Sequence, residues 1–203
     1  MVDNDKAAWR TAISEARPDE IIYRGFNLQE VVESLDFAST AFLLARGDPP
    51  TEGQARVFNA LLAATADHGI SPSQAVTRYT SASGSPIQAC VAAGVLTIGD
   101  HHGGAGEISA GLLDDYLAAR STEPMDEIAQ ELVADRQESG ERVPGFGHPE
   151  HTDGDPRAQV LIDIARQEGV GDKALELALA VEQTLVESVG SGLKMNINGV
   201  TAA

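Results

Sequence analysis

Apolar residues recur at helical spacing along most of the chain. Val31, Val32, Leu35 and Ala38 lie on one side of a helix that Asn27 can cap. The same spacing predicts further helices over 36–47, over 51–66, from 71, from 86, and over 107–118, 124–139, 156–167 and 172–188. Alternating patterns typical of strands are nearly absent. The pattern therefore predicts an all-α protein.

Capping signals mark the ends of several of these helices. Gly47, followed by Asp-Pro-Pro, ends the second helix. Thr51 and Gln54 have the spacing of a capping box at the start of the third helix. Gly69 is expected to end that helix, and the Ser-Pro pair at 71–72 starts the next one.

The segment SPIQACVAAGVLTIGD, residues 85–100, is rich in alanine and glycine. Pro86 is expected at the first turn of its helix. Small residues allow close helix packing, which favours a central position or a subunit interface. The segment is apolar over more of its surface than one neighbouring helix would bury, so we expect a homodimer.

The longest irregular stretch is ESGERVPGFGHPEHTDGDPRA, residues 138–158. Its glycines and prolines exclude regular structure between two predicted helices. Long loops in compact domains are often functional. This stretch is therefore a candidate site segment.

The charge balance restricts the partners of the protein. The chain of 203 residues carries a formal net charge of −17 and has only three lysines. Nucleic-acid binding requires clustered cations, so nucleic acid is not an expected partner. The excess of acid and the bias against lysine fit either a salt-rich cytoplasm or a GC-rich genome, and both explanations stay open.

The single cysteine and the composition of the first residues indicate the expected compartment. Cys90 lies in an apolar run and is expected to be buried, without a disulfide partner. The start of the chain does not resemble a signal peptide, and no segment is long enough to span a bilayer. We therefore expect a soluble, cytoplasmic protein with no membrane partner.

All five histidines lie at helix ends or in loops: His68, His101, His102, His148 and His151. His101 and His102 are adjacent, so they point in different directions and cannot readily share an ion. Paired cysteines and the His-Glu-x-x-His spacing are absent, so no metal site is expected. The DHH triplet also occurs in metal-dependent phosphoesterases, but there it follows a strand, whereas here an alanine-rich helical segment precedes it.

Acid–base chemistry on an anionic substrate fits the histidines better. Neutral imidazole can pass a proton near pH 7, and guanidinium can bind a carboxylate through two hydrogen bonds. His68, His102, His148 and Arg157 together suit an oxygen-rich substrate such as a tricarboxylate. Each of them taken singly is equally compatible with a solvated or capping side chain.

Five motifs, in order along nearly the whole chain, carry a resemblance to a known family. They are YRGFNLQEVVESLDFASTAFLLARGDPPT, ADHG, GSPIQACVAAGVLTIGDHHGGA, VPGFGHPEHTDGDPRA and KMNINGVTAA. Together they resemble the citrate synthase superfamily. The WRTAI opening, ADHG and NING are most similar to citryl-CoA lyases and to the corresponding module of ATP-citrate lyase.

The resemblance implies an all-helical fold with two domains. A large domain would comprise residues 1–106, with 196–203 returning to it, and a smaller domain, 107–195, would bind coenzyme A. The implied reaction is the retro-Claisen cleavage of citryl-CoA to acetyl-CoA and oxaloacetate, or the reverse condensation followed by hydrolysis. Oxaloacetate or citrate and an acyl-CoA would be the small-molecule partners, with coenzyme A as carrier and no metal.

The resemblance also implies roles for individual residues. His68 and His148 would hold the oxaloacetate or citrate moiety, and His148 would polarise its carbonyl or take the hydroxyl proton. Arg157 would bind a carboxylate. His102 would hydrogen-bond the thioester oxygen, while His101 would only border the site. The adenine of coenzyme A would lie on Val143, Pro144, Gly145, Phe146 and Gly147, and Lys194 would meet its phosphates.

The chain departs from the family pattern at three points. Asn198 stands where the family has an aspartate that moves the proton of the acetyl methyl group, and an amide cannot accept that proton. The chain also ends soon after NING, where relatives continue, so either it is a fragment or its site is incomplete. Pro149 follows His148 where many relatives have arginine or alanine.

Three functions remain open on the sequence. A citryl-CoA lyase is favoured by the similarity to that branch and by the short tail. A citrate synthase is the alternative, since His102 suits its mechanism. A homologue that binds citrate or coenzyme A without turnover is the third, because Asn198 cannot act as the base.

Overall fold

Ten helices and three short strands are present in a computed structural model that describes residues 11–67, 69–100, 102–148, 150–151, 153–190 and 192–203. In chain order they are β1 (Ser14–Ala16), β2 (Ile21–Tyr23), β3 (Phe26–Asn27), α1 (Leu28–Ser34), α2 (Phe37–Arg46), α3 (Glu52–Thr65), α4 (Pro72–Ala82), α5 (Ile87–Val95), α6 (Ala105–Ala119), α7 (Met125–Ser139), α8 (Pro156–Glu168), α9 (Asp172–Ser188) and α10 (Ile197–Ala202). The predicted helices are therefore confirmed, most of them with ends that differ by one or two residues. Ala38, predicted on the first helix, lies on α2, and α10 was not predicted.

The chain divides into two compact units at Ala63 and Ala64. The different division implied by the family resemblance, 1–106 with 196–203 against 107–195, stays a prediction. Within the described residues, no helix is both long and apolar enough to cross a membrane.

The first unit contains an antiparallel sheet in the order β1-β2-β3, with Ser14 opposite Tyr23 and Ile22 opposite Asn27. The sequence did not predict it. Each strand has only two or three residues, too few to show the alternation that marks a half-buried strand. The β2–β3 turn has positive φ at Arg24 and Gly25, 50° and 93°, as a tight hairpin turn requires.

The predicted caps in the first unit are confirmed. The Asn27 side chain accepts from the N–H of Gln29 and starts α1. Gly47 ends α2 in the left-handed conformation. The Thr51 hydroxyl accepts from the N–H of Gln54, and the Gln54 side chain accepts from the N–H of Thr51. This reciprocal pair is the capping box of α3.

In the second unit α4 packs closely on α5. A Cβ at Gly94 would overlap with the Thr77 hydroxyl, so the close packing predicted for this segment is confirmed. Pro86 is the N-cap of α5 and not a first-turn residue. Cys90 is buried, 4% exposed, as predicted.

The prediction that α5 is central is wrong for a single chain. Only Cys90 and Gly94 of this helix are buried. Five apolar side chains on it and just after it are more than half exposed: Ile87, Val91, Val95, Leu96 and Ile98.

The largest core of the second unit lies among the helices that follow. α7 packs along α9, and α10 contacts α6, α8 and α9. The side chains buried to less than 2% include Ile128, Leu132, Leu177 and Val181. The irregular segment between α7 and α8 lies against the segment that leads into α10, and these two segments build the candidate site.

Candidate active site

Two of the motifs, GFGH and KMNING, lie side by side as a short antiparallel pair. The N–H of Gly147 donates to the carbonyl of Lys194 at 2.8 Å, and the N–H of Asn196 donates to the carbonyl of Gly145 at 2.9 Å. The side-chain amide of Asn196 donates to the carbonyl of Gly147 at 2.6 Å. The pairing joins segments that are about fifty residues apart in sequence.

Two glycines allow this close approach. Gly145 has φ +88°, and a Cβ on it would lie 2.7 Å from the Cα of Gly199. A Cβ on Gly199 would in turn overlap with the carbonyl oxygen of Gly145 and with the side chain of Met195. Both positions therefore require glycine, since any larger residue would push the two segments apart.

We expect Gly199→Ala to destabilise the protein by about 2–3 kcal/mol, because overpacking against backbone atoms forces the segments to separate. The loss would be read from the urea midpoint. Gly111→Ala is the matched control, because a Cβ there, also on a helix, meets no atom within 4 Å. Equal midpoints for Gly199→Ala and the wild type would contradict the proposed contact.

Asn196 also fixes the start of α10. Its side-chain oxygen accepts from the N–H groups of Asn198 and Gly199, at 2.9 and 3.4 Å. Asn198 is consequently the second residue of α10 and is half-buried. Its backbone position is set by the cap and does not depend on its own side chain.

Asp155 connects this helix to the loop that ends at α8. It is 3% exposed and caps α8 by accepting from the N–H of Arg157 at 3.0 Å. The Arg157 guanidinium donates to both carboxylate oxygens, at 3.0 and 2.8 Å. The N–H of Ile197, forty-two residues away, donates to the same carboxylate at 3.0 Å.

These hydrogen bonds determine the charge of Asp155. Burial by itself raises the pKa of this carboxyl, but the bonds from Arg157 and Ile197 and the positive charge of Arg157 outweigh burial. The pKa of Asp155 therefore lies below its usual value. The carboxylate is ionised at neutral pH and orients Arg157, whose side chain keeps 25% exposure.

His148 follows Gly145, Phe146 and Gly147 in the chain and is held by a local turn. Its Nδ1 atom accepts from the N–H groups of Glu150 and His151, each at 3.1 Å. An imidazole that accepts at Nδ1 carries its proton on Nε2 when neutral. Burial, followed by the charge of His151, lowers the pKa of His148, so the neutral form prevails at pH 7.

His148 lines a cavity of about 650 Å³ together with Val143, Phe146 and Gly147. Nine further residues complete the wall: Val133, Arg136, Gln137, Glu141, Arg142, Leu185, Val189, Gly192 and Leu193. Three of the five residues predicted to hold adenine therefore border the cavity, whereas Pro144 and Gly145 are not in its wall.

Two arginines that were not predicted border this cavity, and the role predicted for Lys194 stays a prediction. Lys194 donates through Nζ to the backbone carbonyl of Asp153 at 2.9 Å. Arg136 and Arg142 are in the cavity wall, and Arg136 pairs with Glu141. The sequence reasoning missed both arginines, since nothing in a helical period indicates which charged residues border a cavity.

His102 lies in another part of the second unit. Its Nε2 atom and the Ser73 hydroxyl are 2.9 Å apart, and Ser73 is within 3.0 Å of the hydroxyl of Ser71, the N-cap of α4. Ser73 lines a second cavity of about 570 Å³, with Asp67, Gln74, Thr77 and Arg78 among the other wall residues. Among the described residues, no hydrogen bond joins His102 to His148 or Asn198.

The segments that carry His148, Arg157 and Asn198 are thus joined by hydrogen bonds, from Gly147 to Lys194 and from Ile197 to Asp155. His68, His101 and Pro149 lie outside the described residues. Within the described ranges, no three His, Cys, Asp or Glu side chains are grouped so that they could hold a metal ion.

Comparison with known proteins agrees with these motifs. Residues 49–203 match the family of the citrate synthase C-terminal domain. The citrate synthase of Haloferax volcanii is 32% identical over 186 residues, which are 89% of this chain and 46% of that protein. The chain spans less than half the length of the curated citrate synthases that it matches.

Solved structures show the same likeness. Citryl-CoA lyase from Hydrogenobacter thermophilus superimposes with a TM-score of 0.86 at 32% identity, over 96% of this chain and 74% of that chain. ATP citrate lyase from Methanothrix soehngenii, in complex with citrate and coenzyme A, gives 0.84 at 26% identity, over 96% of this chain and 31% of that one.

The helical fold and the resemblance expected from the five motifs are both confirmed, with the small sheet as an addition. Because the family match covers about three quarters of the chain, including the paired GFGH and KMNING segments, the protein belongs to the citrate synthase family.

Proposed function

We propose that the protein cleaves citryl-CoA to acetyl-CoA and oxaloacetate. The observation that carries the proposal is His148, held as an Nε2–H donor beside a cavity whose wall includes Val143, Phe146 and Gly147. The likeness to citryl-CoA lyase over nearly the whole chain supports it.

His148 would act on the oxygen that is a hydroxyl in citryl-CoA and a carbonyl in oxaloacetate. Since Nδ1 is occupied by two N–H groups, Nε2–H can donate to this oxygen but cannot take its proton. Of the two roles expected for His148, polarisation of the carbonyl therefore fits this geometry. The donor stabilises the negative charge that develops on the oxygen as the carbon–carbon bond breaks or forms.

The other residues would bind the anionic parts of the substrate. Arg157, oriented by Asp155, would bind a carboxylate together with His68. His102 would donate to the thioester oxygen and stabilise the enolate of acetyl-CoA. Val143 to Gly147 would hold the adenine of coenzyme A. Arg136, Arg142 and Lys194 supply positive charge for its phosphates in a protein of net charge −17.

A product assay tests the proposal. Citryl-CoA that yields oxaloacetate without free thiol supports the lyase. Free thiol from acetyl-CoA and oxaloacetate supports a citrate synthase, the alternative favoured by the likeness to the Haloferax volcanii enzyme. Calorimetric binding of citrate or coenzyme A without any turnover supports the third function, a binding homologue, which Asn198 favours.

We also propose that the protein is a homodimer through α5. The exposed apolar residues of this helix line a shallow cavity, and two α5 helices packed together would remove them from water. A cytoplasmic location is part of the same proposal, because the single cysteine Cys90 is buried and unpaired.

Sedimentation tests the dimer. The wild type is expected to sediment as a dimer, and Val91→Glu as a monomer, because it places a charge in the centre of the α5 face. Val32→Glu is the matched control, since Val32 is a 72% exposed valine on another helix, α1. A wild type that stays monomeric at high protein concentration and high salt would rule out the dimer.

A further inference from the structure

A second imidazole lies directly against His148. The ring centroids of His148 and His151 are 4.4 Å apart, and their planes are inclined by 34°. His151 is half-buried, and its own N–H is one of the two donors to His148 Nδ1. None of the roles considered above uses the His151 side chain.

The turn at 148–151 restricts the His148 ring to one arrangement. Rotation of the ring by 180° about Cβ–Cγ would place Cδ2–H against the N–H groups of Glu150 and His151, which would lose their acceptor, and a proton on Nδ1 would place donor against donor. The His151 ring covers one face and removes the space that the ring needs to tilt away. Among the described residues, no group accepts a hydrogen bond from Nε2, which leaves this atom for a ligand.

The charged groups around His148 shift its pKa in opposite directions. Glu150 and Asp155 favour the imidazolium form, whereas His151 and Arg157 disfavour it, and burial disfavours it most. Among these charges, that of His151 has the largest effect on the pKa of His148, and it lowers this pKa.

We propose that His151 is a positioning residue for His148: its ring and its backbone N–H hold the His148 imidazole as an Nε2–H donor for the substrate oxygen. The part of this proposal that concerns the substrate rests on the proposed function. The part that concerns the imidazole does not, and it is measurable without any ligand.

NMR of the protein with ¹⁵N-labelled histidine tests the positioning role, because it measures both the tautomer and the pKa of His148. The His148→Gln variant identifies which signals belong to His148. The wild type is expected to show protonated Nε2 and bare Nδ1. In His151→Ala the ring face is uncovered, so we expect mixed tautomers and a higher His148 pKa. His151→Phe keeps a ring there without its charge, and is expected to keep the tautomer while still raising the pKa.

Glu150→Gln is the matched control for charge. It removes a carboxylate that favours the imidazolium but leaves the Glu150 N–H in place, so the His148 pKa is expected to fall. A His151→Ala protein whose His148 keeps the wild-type tautomer and pKa would overturn the proposal. So would a wild type with the proton on Nδ1.

Oxaloacetate binding gives the second readout. At pH 8, where the His148 imidazole is neutral, His151→Ala is expected to bind oxaloacetate about tenfold more weakly than the wild type, since a misdirected donor loses one hydrogen bond to the ligand. His151→Phe should stay within about twofold of wild type, because its ring keeps the donor in place. If the NMR changes appear but no variant binds oxaloacetate or citrate, the proposed function fails and the positioning role stands.

Discussion

Asn198→Asp is expected to accelerate turnover of citryl-CoA by about 10²- to 10⁴-fold, the usual contribution of a positioned general acid or base. An amide cannot exchange the proton that converts the enolate to acetyl-CoA, whereas a carboxyl group can. The variant should fold, because the Asn196 cap holds residue 198 by its backbone, and an acidic side chain in the first turn of a helix is favourable. Oxaloacetate release, followed in a coupled assay, measures the gain.

Two further variants test whether the gain in rate requires both the new carboxyl group and His148. Asn198→Ala removes the amide without adding a carboxyl and should stay at the wild-type rate. The double variant with Asn198→Asp and His148→Gln should lose most of the gain, because the new carboxyl and the Nε2–H donor act in one reaction. Equal rates for the wild type and Asn198→Asp would favour the binding homologue.

Asp155→Ala has the largest expected effect on stability, a loss of about 3 kcal/mol in the free energy of unfolding. The substitution leaves the N–H of Ile197 without its acceptor and the partly buried Arg157 without its counter-charge, and it removes the cap of α8. Asp155→Asn keeps the shape but not the charge and should cost about 1–2 kcal/mol. Denaturant unfolding measures both losses.

Glu141→Ala is the control for an ion pair at the surface. Glu141 pairs with Arg136, but its side chain is 60% exposed, so the loss should be below about 1 kcal/mol. If Asp155→Ala cost no more than Glu141→Ala, the buried network around Asp155 would not be the link between the two loops.

The Asp155 carboxyl group is also expected to make the free energy of unfolding depend on pH. The pKa of Asp155 is lower in the folded protein than in the unfolded chain, so its contribution to stability is complete above the unfolded value. As the pH falls below that value and through the folded pKa, the unfolded chain binds the proton more readily and the contribution is lost. In Asp155→Asn this part of the acid destabilisation should be absent.

The helices of this protein could be predicted because their signals are local. Asn27, Gly47 and the Thr51–Gln54 pair act on the backbone within four residues of themselves, so the sequence that carries the signal also carries its partner. The sheet of β1, β2 and β3 escaped prediction because so few residues pair in each strand.

The sequence left two positions open for α5, a central one and one at a subunit interface. Its composition indicates close packing on one side, and Gly94 against Thr77 confirms that contact. Composition does not indicate whether a second neighbour covers the other side. Only the tertiary structure shows that Val91 and Leu96 stay exposed in one chain.

The sequence by itself determined the all-helical class, the caps, the family and the motifs that carry candidate chemistry. The tertiary structure decided how these motifs meet: Gly145 on Gly199, Asp155 on Ile197, and the two N–H groups that leave His148 with its proton on Nε2. The physical reason is that backbone N–H and C=O groups are the same at every residue. Which of these groups pair across forty or fifty residues depends on the folded path of the chain. The residue types alone do not indicate these pairs.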